Sequence, residues 1–440
     1  MKILRILLVS IFVIIANPAE AGLRIIRDAE IEEILTKMAK SIFKVAGLRP
    51  ESAKIYIIQS KTINAFTIGN GYIFLTTGLL LRFKNPLHIL GILCHETAHI
   101  AAGHINRHLN VIQQRSRNFA LATLLGIVGT VVTGSEEMLA LLIGYAETDE
   151  RFYLRYSRGE ELAADSLAVT FLKKLGYGAD VLIETFSEFL HMDHLNGGME
   201  IPTYMGSHPR TNERIQAIRK QDTPKKSKAD EKLIGMYNRI LIKLKAYLDN
   251  LNSGVLIPAD DYSKAIYFHR VGRCKDAIAL LRKLLKTNPN DIYYQETLAQ
   301  TLYESGHLDE SIRIYEKIYS KNAHVLIKID YANVLIEANK NIELAISILE
   351  SARITDYFNS DIYRLLAKAY GKQGKIAHAE LILAWEQMIL GNYFVAYELI
   401  ISSLKKLNPE TESSQIKQAK YFKELLKRDY KKYFREQIDT

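Results

Sequence analysis

The chain has 440 residues, 48% hydrophobic and 24% charged, enough for two or three domains that each bury a proper core. Its net charge of +9 is diffuse and suits an anionic surface such as phospholipid or lipopolysaccharide; no nucleic-acid motif is present, so no nucleic-acid partner is expected. Two cysteines, Cys94 and Cys274, are too few for a disulfide framework.

Met1, Lys2 and Arg5 precede an apolar run over 6–15, and Ala19 and Ala21 supply small residues behind it. This is the pattern of a secretory signal peptide cleaved after Ala21, which sends the mature protein to a bacterial periplasm or outside the cell. Residues 54–59, 65–68 and 72–76 read as short strands, with a Gly69-Asn70-Gly71 turn between the last two.

The most informative stretch is His95-Glu96-Thr97-Ala98-His99. On a helix the two imidazoles lie one turn apart on one face and fit two corners of a tetrahedral zinc site. Glu96 then stands beside the metal without binding it, placed to take a proton from a zinc-activated water that attacks a peptide carbonyl. The apolar flanks, 89–94 and 100–102, indicate a buried helix, where His and Glu need partners. A third His six residues after the second would make a longer known pattern, but that position is Ile105. His104 and His108 are expected on another face of the same helix, supporting the ligands or on the surface. Cys94 is turned about 100° from His95 and reads as an apolar packing residue.

Residues 118–133 are mostly apolar, interrupted by Gly126 and Gly129; Glu136 and Glu137 follow, then a second apolar run over 138–146. As helix the first run is about 24 Å long, short of the roughly 30 Å hydrocarbon core, so a hairpin covering the active site is expected, with contact to a membrane surface as the second reading. Next comes Ser157-Arg158-Gly159-Glu160-Glu161, followed by an apolar helical pattern containing Asp165. Glu161 and Asp165 share a helix face; a metal on Glu161, with Asp165 holding the second nitrogen of a ligand histidine, accounts for both acids. From spacing alone Glu160 is a rival ligand. His208, before Pro209, is expected on a loop.

Together these motifs resemble the gluzincin family of the HtpX and CaaX-prenyl proteases: HExxH, then E-x-x-A-D some sixty residues on, an Asn64-Ala65-Phe66 hairpin ahead, and Ser207-His208-Pro209-Arg210 through Arg214-Ile215 behind. The resemblance covers 64–215. It implies one Zn2+ per chain held by His95, His99 and Glu161, with Asp165 supporting His95 and Glu96 as the base. It also implies substrate bound as an added strand along Asn64, Ala65 and Phe66. His208 is then either a removable fourth ligand or a transition-state donor to the oxyanion. Arg214 holds substrate or positions the Glu161 helix, with a plain surface salt bridge as the other reading.

The second half repeats. Gly272, Gly306 and Gly374 stand at multiples of 34 residues, with Lys340 at the missing beat; Ala277, Ser311, Ala345 and Ala379 follow five later, and Leu281, Tyr315, Leu349 and Leu383 four after those. A 34-residue period with a small residue at each helix crossing is the tetratricopeptide signature. Gly391, Ala396, Ile400 and Pro409 continue out of phase, so one helix is expected to serve two hairpins. The expected organisation is a signal peptide at 1–21, the protease domain at 22–225, a connecting helix and linker at 226–257, the repeats at 258–409 and a capping helix at 410–440. The fold class is α+β, mostly helical with a small antiparallel sheet, followed by an all-α tetratricopeptide-repeat solenoid. That combination resembles the periplasmic β-barrel assembly-enhancing proteases. The resemblance implies unfolded or misassembled outer-membrane proteins as clients, and contact with the β-barrel assembly machinery through the repeats.

Overall fold

The computed structural model describes residues 24–69, 71–105, 156–195, 204, 208, 211–221, 226–248, 260–319, 323–357, 359–390 and 392–429. The expected signal peptide, Asn70 of the turn, His108, the 118–146 hairpin and Gly391 lie outside these residues.

Strand β1 (Arg24–Ile26) leads into α1 (Ala29–Val45), whose first turn is capped by Asp28 accepting from the Ile31 N–H at 2.9 Å. Ile31, Ile34, Leu35, Met38, Ala39, Ile42 and Phe43 recur at helical spacing and bury one face of α1 in the first core. Strands β2 (Lys54–Gln59), β3 (Ala65–Gly69) and β4 (Tyr72–Thr76) complete a sheet of order β1-β2-β4-β3.

The sheet is mixed, not antiparallel as expected. The β3–β4 hairpin is antiparallel, but β4 inserts between β3 and β2 and so runs parallel to β2, with Ile55 opposite Ile73 and Ile57 opposite Leu75. Apolar side chains on both faces suit β2 and β4 to the sheet interior. The crossover is held by Thr77 Oγ1 donating to the Ser60 carbonyl (2.8 Å) and Thr76 Oγ1 to that of Thr62 (2.6 Å). Strand β3 is left at an edge.

Helix α2 (Thr77–Arg82) is followed by α3 (Pro86–Ala101), which carries the HExxH residues and begins with an Asn85 cap and Pro86 in its first turn. It runs through the core against α4 (Arg158–Lys174) and α5 (Asp180–Leu195). At Gly91 an added Cβ would stand 3.1 Å from Val181 Cγ1, so glycine here lets α3 and α5 approach. Helix α6 (Thr211–Gln221) packs on α4 and α5. Helix α7 (Glu231–Leu248), the expected connector, puts Tyr237, Ile240, Leu241 and Leu244 into the same core.

A series of packed helices follows: α8 (Asp261–Arg270), α9 (Cys274–Thr287), α10 (Ile292–Glu304), α11 (Leu308–Tyr319), α12 (Val325–Glu337), α13 (Ile342–Thr355), α14 (Ser360–Lys372), α15 (Ile376–Ile389), α16 (Tyr393–Lys406) and α17 (Ser413–Asp429). Gly272, Gly306 and Gly374 turn the chain between paired helices at φ of +76°, +85° and +73°. At the missing beat the left-handed positions are taken by Asn339 and Asn341, on either side of Lys340. Ala277, Ser311 and Ala345 are fully buried at the helix crossings, and α15 packs against both α14 and α16.

The array meets the first unit around the start of α1. Lys243 Nζ lies 2.8 Å from Asp28 and 3.3 Å from Glu30, while Tyr262 donates to Glu30 at 3.0 Å. Arg239 pairs with Glu30 and with Asp291 (2.8 Å), and Arg27 pairs with Asp356 (2.8 Å). Cys94 and Cys274 are both free thiols, and Cys94 is fully buried in the first core.

Candidate active site

Helices α3, α4 and α6 deliver their polar side chains to one buried point. His95 and His99 project from one face of α3, with their Nε2 atoms 3.0 Å apart. From α4, Glu161 places Oε2 3.4 Å from His95 Nε2 and Oε1 3.5 Å from His99 Nε2. His208 joins them, its Nδ1 3.2 Å from His95 Nε2 and 2.8 Å from Glu161 Oε1. The four side chains are 0–1% exposed.

Glu160, the rival ligand, is excluded by its own role. It closes a capping box at the start of α4, accepting from the Ser157 N–H at 2.9 Å while its own N–H donates to Ser157 Oγ at 3.3 Å. That leaves Glu161 as the inward-facing acid.

These donors fit zinc. Ligand atoms on a tetrahedral ion with bonds of about 2.0–2.1 Å stand about 3.3 Å apart, close to the spacings found. Imidazole nitrogens and a carboxylate also make a zinc-type donor set. Both carboxylate oxygens of Glu96 and Nε2 of His208 are buried without hydrogen-bond partners, with His208 Nε2 3.5 Å from Glu96 Oε1. Buried polar atoms left open in this way face a site meant to hold something else.

A second layer fixes the first. Asp165 Oδ1 is 3.0 Å from His95 Nδ1, as expected of a ligand histidine's partner. Arg214 donates from Nε and Nη2 to the two oxygens of Asp165, each at 2.7 Å, while Nη1 stands 2.7 Å from Glu161 Oε2. It also donates to the His208 carbonyl at 3.3 Å. The surface salt-bridge reading therefore fails: Arg214 is 2% exposed, lies against the Phe186 ring and ties α6 to both acids of α4. Burial alone would raise the Asp165 carboxyl, but the Arg214 charge and hydrogen bonds from Arg214 and His95 hold it below the usual carboxylate range. Burial likewise opposes ionisation of Glu161, and His208 and Arg214 overcome it. Glu96 differs: burial pushes its carboxyl up, as suits a group that takes and returns a proton.

Helix α3 ends at Ala101, and Gly103 at φ +66° reverses the chain. His104 is therefore not on a continuing helix face, as expected, but folded back beside His99 and 3% exposed. Sequence reasoning missed two tyrosines. Tyr156 stacks on the His99 ring at 3.7 Å, and Tyr204 stacks on His208 at 4.5 Å. Their only sequence signals are local: Tyr156 adjoins the Ser157 cap, and Tyr204 is one helical turn before His208, whose N–H donates to its carbonyl at 2.9 Å. Among the expected substrate residues, Asn64, Ala65 and Phe66 have buried side chains (at most 8% exposed), so the edge offers backbone there. The preceding Ile63 carbonyl accepts from the Tyr204 N–H at 3.2 Å.

Residues 26–222 match the profile of peptidase family M48. The β-barrel assembly-enhancing protease of Escherichia coli (strain K12) is 21% identical over 358 residues, 78% of this chain and 73% of that protein. A Vibrio cholerae serotype O1 protein provisionally given the same name is 24% identical over 370 residues, 80% of this chain and 75% of its own. Metalloprotease YcaL of Escherichia coli (strain K12) is 28% identical over 185 residues, 42% of this chain and 67% of that protein. Profile and geometry pick out the same stretch of chain: the residues that match the M48 profile carry a zinc metalloendopeptidase active site.

Proposed function

We propose that this protein is a periplasmic zinc endopeptidase that clears unfolded or misassembled outer-membrane proteins. The observation that carries the reading is the buried His95, His99, Glu161 and His208 cluster with the unpartnered carboxylate of Glu96 beside it. Zinc supplies Lewis acidity there when bound, polarising a carbonyl and making water a nucleophile at neutral pH. Glu96 takes the proton from that water and returns it to the leaving amine. His95, His99 and Glu161 hold the metal, with Asp165 and Arg214 keeping His95 and Glu161 in register. Substrate adds as a strand along the outer edge of β3 from Ala65 on, through backbone hydrogen bonds that are indifferent to sequence.

His208 acts as a removable fourth ligand that closes the coordination shell at rest. Its Nδ1 stands among the ligand atoms and its backbone is tied to Tyr204 and Arg214, which favours this role over that of oxyanion donor.

The similarity to β-barrel assembly-enhancing proteases runs over most of the chain and supports the client class and the periplasmic location, in keeping with the expected signal peptide at 1–21. We read the packed helices as tetratricopeptide repeats that bind the client or the assembly machinery. Among the described residues no helix is long and apolar enough to cross a membrane.

Casein cleavage and client turnover test the mechanism. Glu96→Gln abolishes both while zinc stays bound, and His208→Ala raises basal cleavage. Equal activity of wild type and Glu96→Gln would sink the enzyme mechanism; a fall with His208→Ala would make that residue a donor instead.

A further inference from the structure

Each zinc-directed imidazole on α3 needs a partner at its second nitrogen. His95 has the Asp165 carboxylate. The matching atom of His99 meets another imidazole: His99 Nδ1 and His104 Nδ1 are 2.9 Å apart, and both side chains are buried. We propose that His104 is the positioning residue of His99, its neutral ring accepting the Nδ1 proton and so fixing the tautomer and rotation that aim His99 Nε2 at the metal. This rests on the zinc reading of the site.

Two ring nitrogens 2.9 Å apart need one proton between them, not two and not none. His99 Nε2 is committed to the cluster, 3.0 Å from His95 Nε2 and 3.5 Å from Glu161 Oε1. A ligating nitrogen carries no proton, so a neutral His99 keeps its proton on Nδ1 and donates it. His104 Nδ1 is then the acceptor, and the His104 proton sits on Nε2.

Backbone and packing explain why this residue can do so. A continued helix would carry position 104 well round from His99, about 140° on the far side after five residues. The left-handed turn at Gly103 brings it back. The His99 ring is then fixed twice, since Tyr156 lies on its face at 3.7 Å and His104 holds its edge.

The choice of imidazole has an electrostatic reason. Glu96, Glu161 and Asp165 already put three carboxyl groups into one buried pocket, with Arg214 as the cation tied to two of them. A neutral acceptor orients His99 without adding another anion to desolvate. The two histidines of one motif are thus held by different chemistry, a charged partner for His95 and an uncharged one for His99.

The test measures zinc affinity by competition with a chromogenic chelator in wild type, His104→Leu and His104→Asn, beside thermal unfolding of the metal-free proteins. His104→Leu removes the acceptor and keeps the bulk; it is expected to lose about 10- to 100-fold in affinity. In His104→Asn, Oδ1 replaces the Nδ1 acceptor and the affinity returns to within a few-fold of wild type, with a cobalt-substituted absorption spectrum like the wild type's. Wild-type affinity in His104→Leu, or equal loss in both variants, overturns the proposal. Should His104→Leu fail to fold, long-range nitrogen–proton NMR of the zinc-loaded wild type decides: a proton on His104 Nε2 and on His99 Nδ1 supports the assignment, and a proton on His104 Nδ1 overturns it. A wild type that binds no zinc at all would instead overturn the site reading beneath it.

Discussion

Arg214 shows how much one buried cation holds together. It makes a two-point contact with Asp165, an ion pair with Glu161 and a hydrogen bond to the His208 carbonyl. Removing it leaves Asp165 buried without its main counter-charge and strips Glu161 of one of its two, and such a loss costs about 3–5 kcal/mol. Arg214→Met should therefore lower the urea midpoint of the metal-free protein sharply. Arg214→Lys should recover little of it, because an ammonium cannot serve both oxygens of Asp165 while also reaching Glu161. A midpoint for Arg214→Met matching wild type would show that the acids manage without it. From the chain alone Arg214 reads as a holder of substrate, a positioner of the Glu161 helix or, nearly as readily, a surface ion pair, because burial decides between them and nothing near it in sequence reports burial. His95, Glu96 and His99 were legible because their chemistry depends on helical spacing. Glu161 needed its helix start as well, since Glu160 is assigned to the capping box only once Ser157 is seen as the cap.

At the level of elements, what was legible was whatever a local rule sets. Strands at 54–59 and 72–76 stand where alternation puts them, and the strand expected over 65–68 runs one residue further, taking in Gly69 of the expected turn. Their order does not follow from local pattern: β4 lies between β2 and β3 because that places the strands with two apolar faces inside the sheet, a choice made by packing. The repeats carry the same lesson at Lys340. A glycine period breaks there, yet the turn does not, since Asn339 and Asn341 adopt the left-handed conformation in glycine's place. Glycine at position 91 has a different reason, and it bears on the site. An added Cβ there stands 3.1 Å from Val181 Cγ1 and 3.3 Å from Thr185 Oγ1, so side chains at this crossing would push α5 away from the helix that bears His95. Gly91→Val is expected to cost about 1–3 kcal/mol by overpacking and to weaken zinc binding through displacement of α3. Unfolding and metal titration of the same variant check both parts; a destabilised protein with wild-type zinc affinity would mean that α5 yields and α3 does not.

At the scale of the molecule, the two units meet through acidic, basic and tyrosine side chains, several of them buried. Asp28 and Glu30, at the start of α1, face Lys243 and Arg239 of α7 and Tyr262 of the array, and Glu296 of α10 is buried in the same region. Burial pushes the Glu296 carboxyl up to about 7 from an ordinary 4.5; Lys243 works against that shift, and Asp28 and Glu30 reinforce it. Between those two values the native protein keeps a proton on Glu296 that the unfolded chain has released. Stability from this group is therefore fully present below pH 4.5 and lost as the pH rises through about 7. Glu296→Gln keeps the shape and removes the charge. Relative to wild type, it should gain stability progressively over that interval, on the order of 3 kcal/mol by pH 8, with little gain at pH 4.5. Urea unfolding of both proteins across this range checks the sign as well as the size. Parallel curves would mean that Glu296 ionises in place, with Lys243 supplying enough counter-charge, and that the junction between the catalytic domain and the helical array is indifferent to pH at this position.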